Sequence, residues 1–176
     1  MLSLNKHHEA ISFYNEALKI DPNFSDAYNN KGVVLDILER FHEATKCFDR
    51  AIELNPNDAD PLNNKGLSLS HLSRQDEAMA CFHKAIEVDP SYYKAPYNAG
   101  NTLHEYGRNR EALPYFDKAI KINPNDSEVH YNKGNVFIAL NEFEKAIECY
   151  NKATELDPND PDAWFNKGNA YAELDV

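Results

Sequence analysis

Asn30-Lys31-Gly32, Asn64-Lys65-Gly66, Asn132-Lys133-Gly134 and Asn166-Lys167-Gly168 are four copies of one tripeptide, and their spacing decides the fold. Glycine costs roughly 1 kcal/mol in a helix interior relative to alanine, yet each copy sits in a run that otherwise reads helical. The prolines at 22, 56, 90, 124 and 158 and the glycines at 32, 66, 100, 134 and 168 both step by 34 residues. Alanines at 10, 44, 78, 112 and 146, and again at 17, 51, 85, 119 and 153, keep the same interval. Internal repetition at this period indicates stacked supersecondary units, each unable to bury its apolar face alone.

Each unit holds two helical patterns. In the second, Ala44, Cys47, Phe48, Ala51 and Ile52 follow the i, i+3, i+4, i+7, i+8 spacing of one apolar helix stripe, over about residues 42–55. The loops "NPND" at 55–58 and 123–126 and "DPND" at 157–160 end one helix at proline and offer Asp or Asn to cap the next. The glycine then has a purpose. Two helices of one unit approach closely, and a residue without a side chain belongs at their contact, with Ala51 and its equivalents serving the next contact.

The landmarks Gly32, Ala44, Phe48, Pro56, then Gly66, Ala78, Phe82, Pro90, then Gly100, Ala112, Phe116, Pro124, then Gly134, Ala146, Tyr150, Pro158 resemble the tetratricopeptide repeat family over essentially the whole chain. Trp164 occupies the aromatic slot of the last unit and Tyr28 that of the first, while Leu62, Pro96 and His130 replace it between. Lysines 31, 65, 133 and 167 stand where the family usually has Leu, with Ala99 the exception; a lysine stem can still cover apolar surface. The resemblance implies an all-α fold, an α-α superhelix or solenoid of about ten helices. Four full repeats are expected at 25–58, 59–92, 93–126 and 127–160. They are flanked by a second helix alone at 2–24 and a first helix alone at 161–176. In the third repeat Pro96 falls in a first turn, whereas Pro114 removes a helix hydrogen bond.

In the family the first helix of each repeat lines a concave groove. The resemblance places Asn30, Asn64, Asn98, Asn132 and Asn166 in it, one per repeat. A ladder of amides can bond the backbone of an extended peptide whatever its side chains. The alternative is that these amides bond within or between helices. One residue after each glycine stand Val33, Leu67, Asn101, Asn135 and Asn169, and three before it Asn29, Asn63, Tyr97, Tyr131 and Phe165. The groove is therefore expected to turn from apolar to aromatic and amide along the chain, with Lys94, Tyr97, Tyr131 and Phe165 beside the asparagines. The three rings can instead pack between helices. A family subclass grips acidic chaperone tails with Lys, Asn and Arg on three successive first helices. Here Lys94 and Asn64 fit that pattern, but Asn29, Val33 and Asn98 stand where Lys, Asn and Arg are required, so the clamp is incomplete.

Against 18 Lys and Arg the chain sets 29 Asp and Glu, a net charge of −11, which repels phosphate backbones and anionic lipid. Neither nucleic acid nor membrane is an expected partner. No apolar run approaches the ~20 residues that span a bilayer, and the first residues turn polar too soon for a secretory signal. A cytoplasmic location is expected. Cys47, Cys81 and Cys149 form no C-x-x-C pair and read as small core residues. His71 and His104, and His7 with His8, show no convergence of three or four ligands. No metal, cofactor, Gly-rich phosphate loop or catalytic constellation is expected, and the chain reads as a non-catalytic scaffold for a peptide or helical segment of another protein. Two other readings stand beside it. Trp164, Tyr171 and Leu174 have no solvating helix after them, which suggests a piece of a longer array or a module that associates head-to-tail. The segment could also recruit substrates for a larger enzyme.

Overall fold

The computed structural model describes residues 2–174, with side chains from residue 5. Ten α-helices follow one another among the described residues: α1 Leu2–Ile20, α2 Ser25–Ile37, α3 Phe41–Leu54, α4 Ala59–His71, α5 Gln75–Val88, α6 Lys94–Glu105, α7 Asn109–Ile122, α8 Ser127–Ala139, α9 Phe143–Leu156 and α10 Pro161–Leu174. They fall into two compact units, α1–α5 and α6–α10, divided between Tyr92 and Tyr93.

In the first unit α2 pairs with α3 and α4 with α5, and the second helix of one pair packs on the first of the next. The core is the alanine and aromatic stripe: Ala44, Phe48, Ala51, Ala78, Phe82 and Ala85 are fully buried. A Cβ on Gly32 would stand 2.5 Å from the Phe48 ring, and one on Gly66 2.5 Å from the Phe82 ring. The glycine is thus a socket for the aromatic of the following helix, and the propensity it sacrifices is the cost of seating a whole ring.

The second unit is built the same way, α6 with α7 and α8 with α9, α10 lying on α9. Phe116 sits against Gly100 and Tyr150 against Gly134, both rings fully buried. Pro96 lies in the first turn of α6, and α7 continues through Pro114.

Asp58, Asp126 and Asp160 accept backbone N–H bonds at the starts of α4, α8 and α10, from Asp60 at 3.0 Å, Glu128 at 3.1 Å and Asp162 at 2.9 Å. Between the two helices of each repeat the chain turns through one residue of positive φ: Glu39 at 58°, Ser73 at 59°, Gly107 at 73° and Asn141 at 57°. The N–H of the residue after each reaches back to close the preceding helix, as Arg40 to the Leu35 carbonyl at 2.9 Å.

Candidate functional site

The first helices carry the residues in question, and in each unit they are tied together by amides. In the first unit Asn64 Nδ2 donates to Asn29 Oδ1 at 3.1 Å, one repeat earlier, and Asn63 Nδ2 donates to Asn64 Oδ1 at 3.3 Å. Asn30 lies exposed on α2. The neighbouring rows add charge: the Ser68 hydroxyl donates to Asp36, and Lys65 Nζ meets Asp49 at 2.5 Å.

In the second unit tyrosine replaces asparagine as the acceptor. Asn132 Nδ2 donates to Tyr97 Oη at 2.7 Å and Asn166 Nδ2 to Tyr131 Oη at 2.8 Å. Asn135 links the rungs: its Nδ2 donates to Asn132 Oδ1 at 3.4 Å, while its Oδ1 accepts from Tyr150 Oη at 2.7 Å and from Asn166 Nδ2 at 3.3 Å. The rings pack as well as bond, Tyr97 edge-on to Phe116 at 6.2 Å and Tyr131 tilted over Tyr150 at 5.9 Å. Burial pushes the Tyr97 and Tyr150 phenols well above their ordinary range, so both stay neutral and can donate as well as accept.

The expected contact residues therefore differ in availability. Asn64, Asn132 and Asn166 each spend an N–H on the neighbouring repeat and are half-buried, and Asn98 and Asn101 are half-buried on α6. Asn169 and Lys94 are exposed, and Phe165 is 67% exposed. Bonding between helices was the alternative the sequence left open for these amides, but their partners, 35 residues away, were not identified from it. Lys133 with Asp117 at 2.5 Å repeats the Lys65 and Asp49 pair and explains two of the lysines beside glycine.

Within the second unit a cavity of about 530 Å³ is lined by residues of α8, α9 and α10. Asn135, Asn166 and Asn169 line it together with Phe143, Tyr150 and Glu173. Three amides, a phenol and a carboxylate beside an aromatic ring offer donors, acceptors and apolar surface in one place, in a volume suited to small ligands or side chains. Among the described residues no three His, Cys, Asp or Glu side chains converge. Burial raises the pKa of all three thiols, that of Cys149 to about 11, which disfavours the nucleophilic thiolate. No helix among the described residues is long and apolar enough to cross a membrane.

A repeated helix pair with a glycine socket and a lining of first-helix side chains defines a helical-repeat protein, and the comparisons agree. Profiles described as "TPR repeat" match residues 2–35 and 134–175, and profiles described as "Tetratricopeptide repeat" match 25–58, 59–92, 93–126 and 115–148. The chain belongs to the tetratricopeptide repeat family. No curated protein sequence matches it. Among solved structures it is similar to YrrB, described as a TPR protein with an unusual peptide-binding site, at 27% identity over 94% of this chain and 86% of that one, TM-score 0.72. It shares its fold with MamA, 20% identical over 89% of this chain and 91% of that one, TM-score 0.76. It shares it also with the C-terminal part of a TPR repeat-containing protein from Cytophaga hutchinsonii, 22% identical over 98% and 68%, TM-score 0.82.

Proposed function

We propose that the chain is a non-catalytic scaffold that holds a segment of a partner protein against the amide and tyrosine surface of its second unit. The observation that carries this is the cavity where Asn135, Asn166 and Asn169 converge with Tyr150, Phe143 and Glu173. Two of its amides, Asn135 and Asn166, are held in place by the rungs described above, so a bound segment meets preorganised donors and acceptors. Glu173 and the net charge of −11 favour a segment carrying Lys or Arg. The likeness to YrrB, described as having a peptide-binding site, supports the same reading.

The test is selection of random peptides on the immobilised chain, followed by titration of the enriched ones. Asn132 and Asn166 anchor neighbouring tyrosines, so alanine there would change stability together with any contact. Ala172 is exposed at the cavity wall, and Ala172→Trp fills the space without removing a bond. Expected is a loss of about tenfold or more in affinity at an unchanged unfolding temperature. Enriched peptides that bind this variant as tightly as the wild type would refute the assignment.

A further inference from the structure

The hydrogen-bond capacity left along the cavity wall narrows what the cavity can hold. Asn166 spends both N–H groups of its amide, one on the Tyr131 phenol at 2.8 Å and one on Asn135 Oδ1 at 3.3 Å. What remains is its Oδ1, held in a fixed direction and able only to accept. Asn135 Oδ1 takes that N–H and the Tyr150 hydroxyl at 2.7 Å, so both its lone pairs are filled, and its Nδ2 keeps one N–H after donating to Asn132 at 3.4 Å. Glu173 brings carboxylate oxygens alone, and no Lys, Arg or His side chain lines the cavity.

The acceptors also form a row. Asn166, Asn169 and Glu173 follow one another on α10 at spacings of three and four, which places them on one helix face over about 10 Å. The half-buried Ile138 and Phe143 add an aliphatic surface and an aromatic ring. A matching group must therefore carry positive charge, several N–H donors spread in a plane, and a face that stacks on a ring. Guanidinium has all three, with five donors in a rigid fork, weak hydration and affinity for aromatic faces. The lysine ammonium is a compact, strongly hydrated charge with three donors, which reaches fewer of the row at once and costs more to strip of water.

On the assignment of this cavity as the binding site, we infer that it takes an arginine side chain of the partner segment. The guanidinium donates to the Glu173 carboxylate and to the Asn169 and Asn166 oxygens, and its plane lies against Phe143. Charge-assisted bonds to Glu173 supply the larger part of the affinity, while the Asn166 oxygen, fixed by the two bonds of its own amide, sets the orientation.

Pools of short acetylated and amidated peptides test this, with the central residue fixed as arginine, lysine, citrulline or glutamine and the other positions drawn from all residues except Arg and Lys. The affinity of the 176-residue chain for each immobilised pool is measured. The arginine pool is expected to bind about tenfold or more tighter than the lysine pool. Citrulline keeps the shape but carries a neutral carbonyl in place of a donor, and its pool should bind more weakly than lysine. Glu173→Gln removes the charge from an exposed side chain, so it should lower affinity for the arginine pool about tenfold at an unchanged unfolding temperature. Binding that is indifferent to the central residue yet lost in Ala172→Trp would overturn the arginine assignment and leave the cavity as the site. Equal affinity for the arginine and lysine pools, or full binding of the arginine pool by Glu173→Gln, would overturn it as well. Binding untouched by Ala172→Trp, or none to any pool, would overturn both readings.

Discussion

At the same register the two units solve one problem with different chemistry. The first ties Asn64 to Asn29 by an amide pair at 3.1 Å and follows its glycines with Val33 and Leu67. The second ties Asn132 and Asn166 to the Tyr97 and Tyr131 phenols at 2.7 and 2.8 Å and follows its glycines with Asn101, Asn135 and Asn169. The buried socket is alike in both, glycine against a ring with no exposure. Packing, then, depends on the socket, while the flanking residues are free to make one surface apolar and another hydrogen-bonding. That division is what lets a single fold carry different binding surfaces.

The sharpest way to break this comparison is to exchange ring chemistry without exchanging its partner. Phe82→Tyr places a phenol in a fully buried slot beside Leu67, with no acceptor of the kind Asn135 gives Tyr150. An unsatisfied buried hydroxyl costs about 1–3 kcal/mol, and urea unfolding should show a loss of that size. Adding Leu67→Asn should recover most of it. If Phe82→Tyr is neutral alone, the pairing of ring and following residue carries no energy.

A smaller effect separates the two kinds of rung. Tyr131→Phe keeps the ring over Tyr150 but removes the oxygen that accepts from Asn166, which should cost about 1 kcal/mol because the site is half-buried. A double-mutant cycle with Asn166→Ala should return coupling of similar size. Strict additivity of the two changes would show that the rung is a contact without consequence for stability.

The period, the ten helices and the close contact at Gly32, Gly66, Gly100 and Gly134 were legible because they rest on local rules: proline stops, Asp caps and an apolar stripe recurring every 34 residues. The rungs were not. Whether the Asn132 amide faces a ligand or Tyr97 depends on the distance between first helices of successive repeats, a tertiary quantity that no single-helix pattern contains. The Lys65 and Asp49 pair hid for the same reason, and lysine in a family's leucine position read as a departure when it has a partner across the repeat.

The turns inside the repeats give the smallest and cleanest contrast, because residues of very different type take one conformation. Gly107 adopts a φ of 73° and a Cβ there would meet nothing within 4 Å, so any penalty for Gly107→Ala comes from the backbone alone, about 1 kcal/mol. Glu39 holds a φ of 58° in the equivalent turn, where its N–H bonds the Asp36 carbonyl at 2.8 Å, so it already bears that penalty. Glu39→Gly relieves it but loosens the unfolded chain, which returns part of the gain, leaving about 0.5 kcal/mol of stabilisation. Asn141 tolerates the left-handed region better than glutamate, so Asn141→Gly should gain less than Glu39→Gly. Urea midpoints for the three variants then order the turns by side-chain type. Equal midpoints for Glu39→Gly and wild type would mean that the two helices of the first repeat hold Glu39 in place without strain, and that the turn is set by their packing.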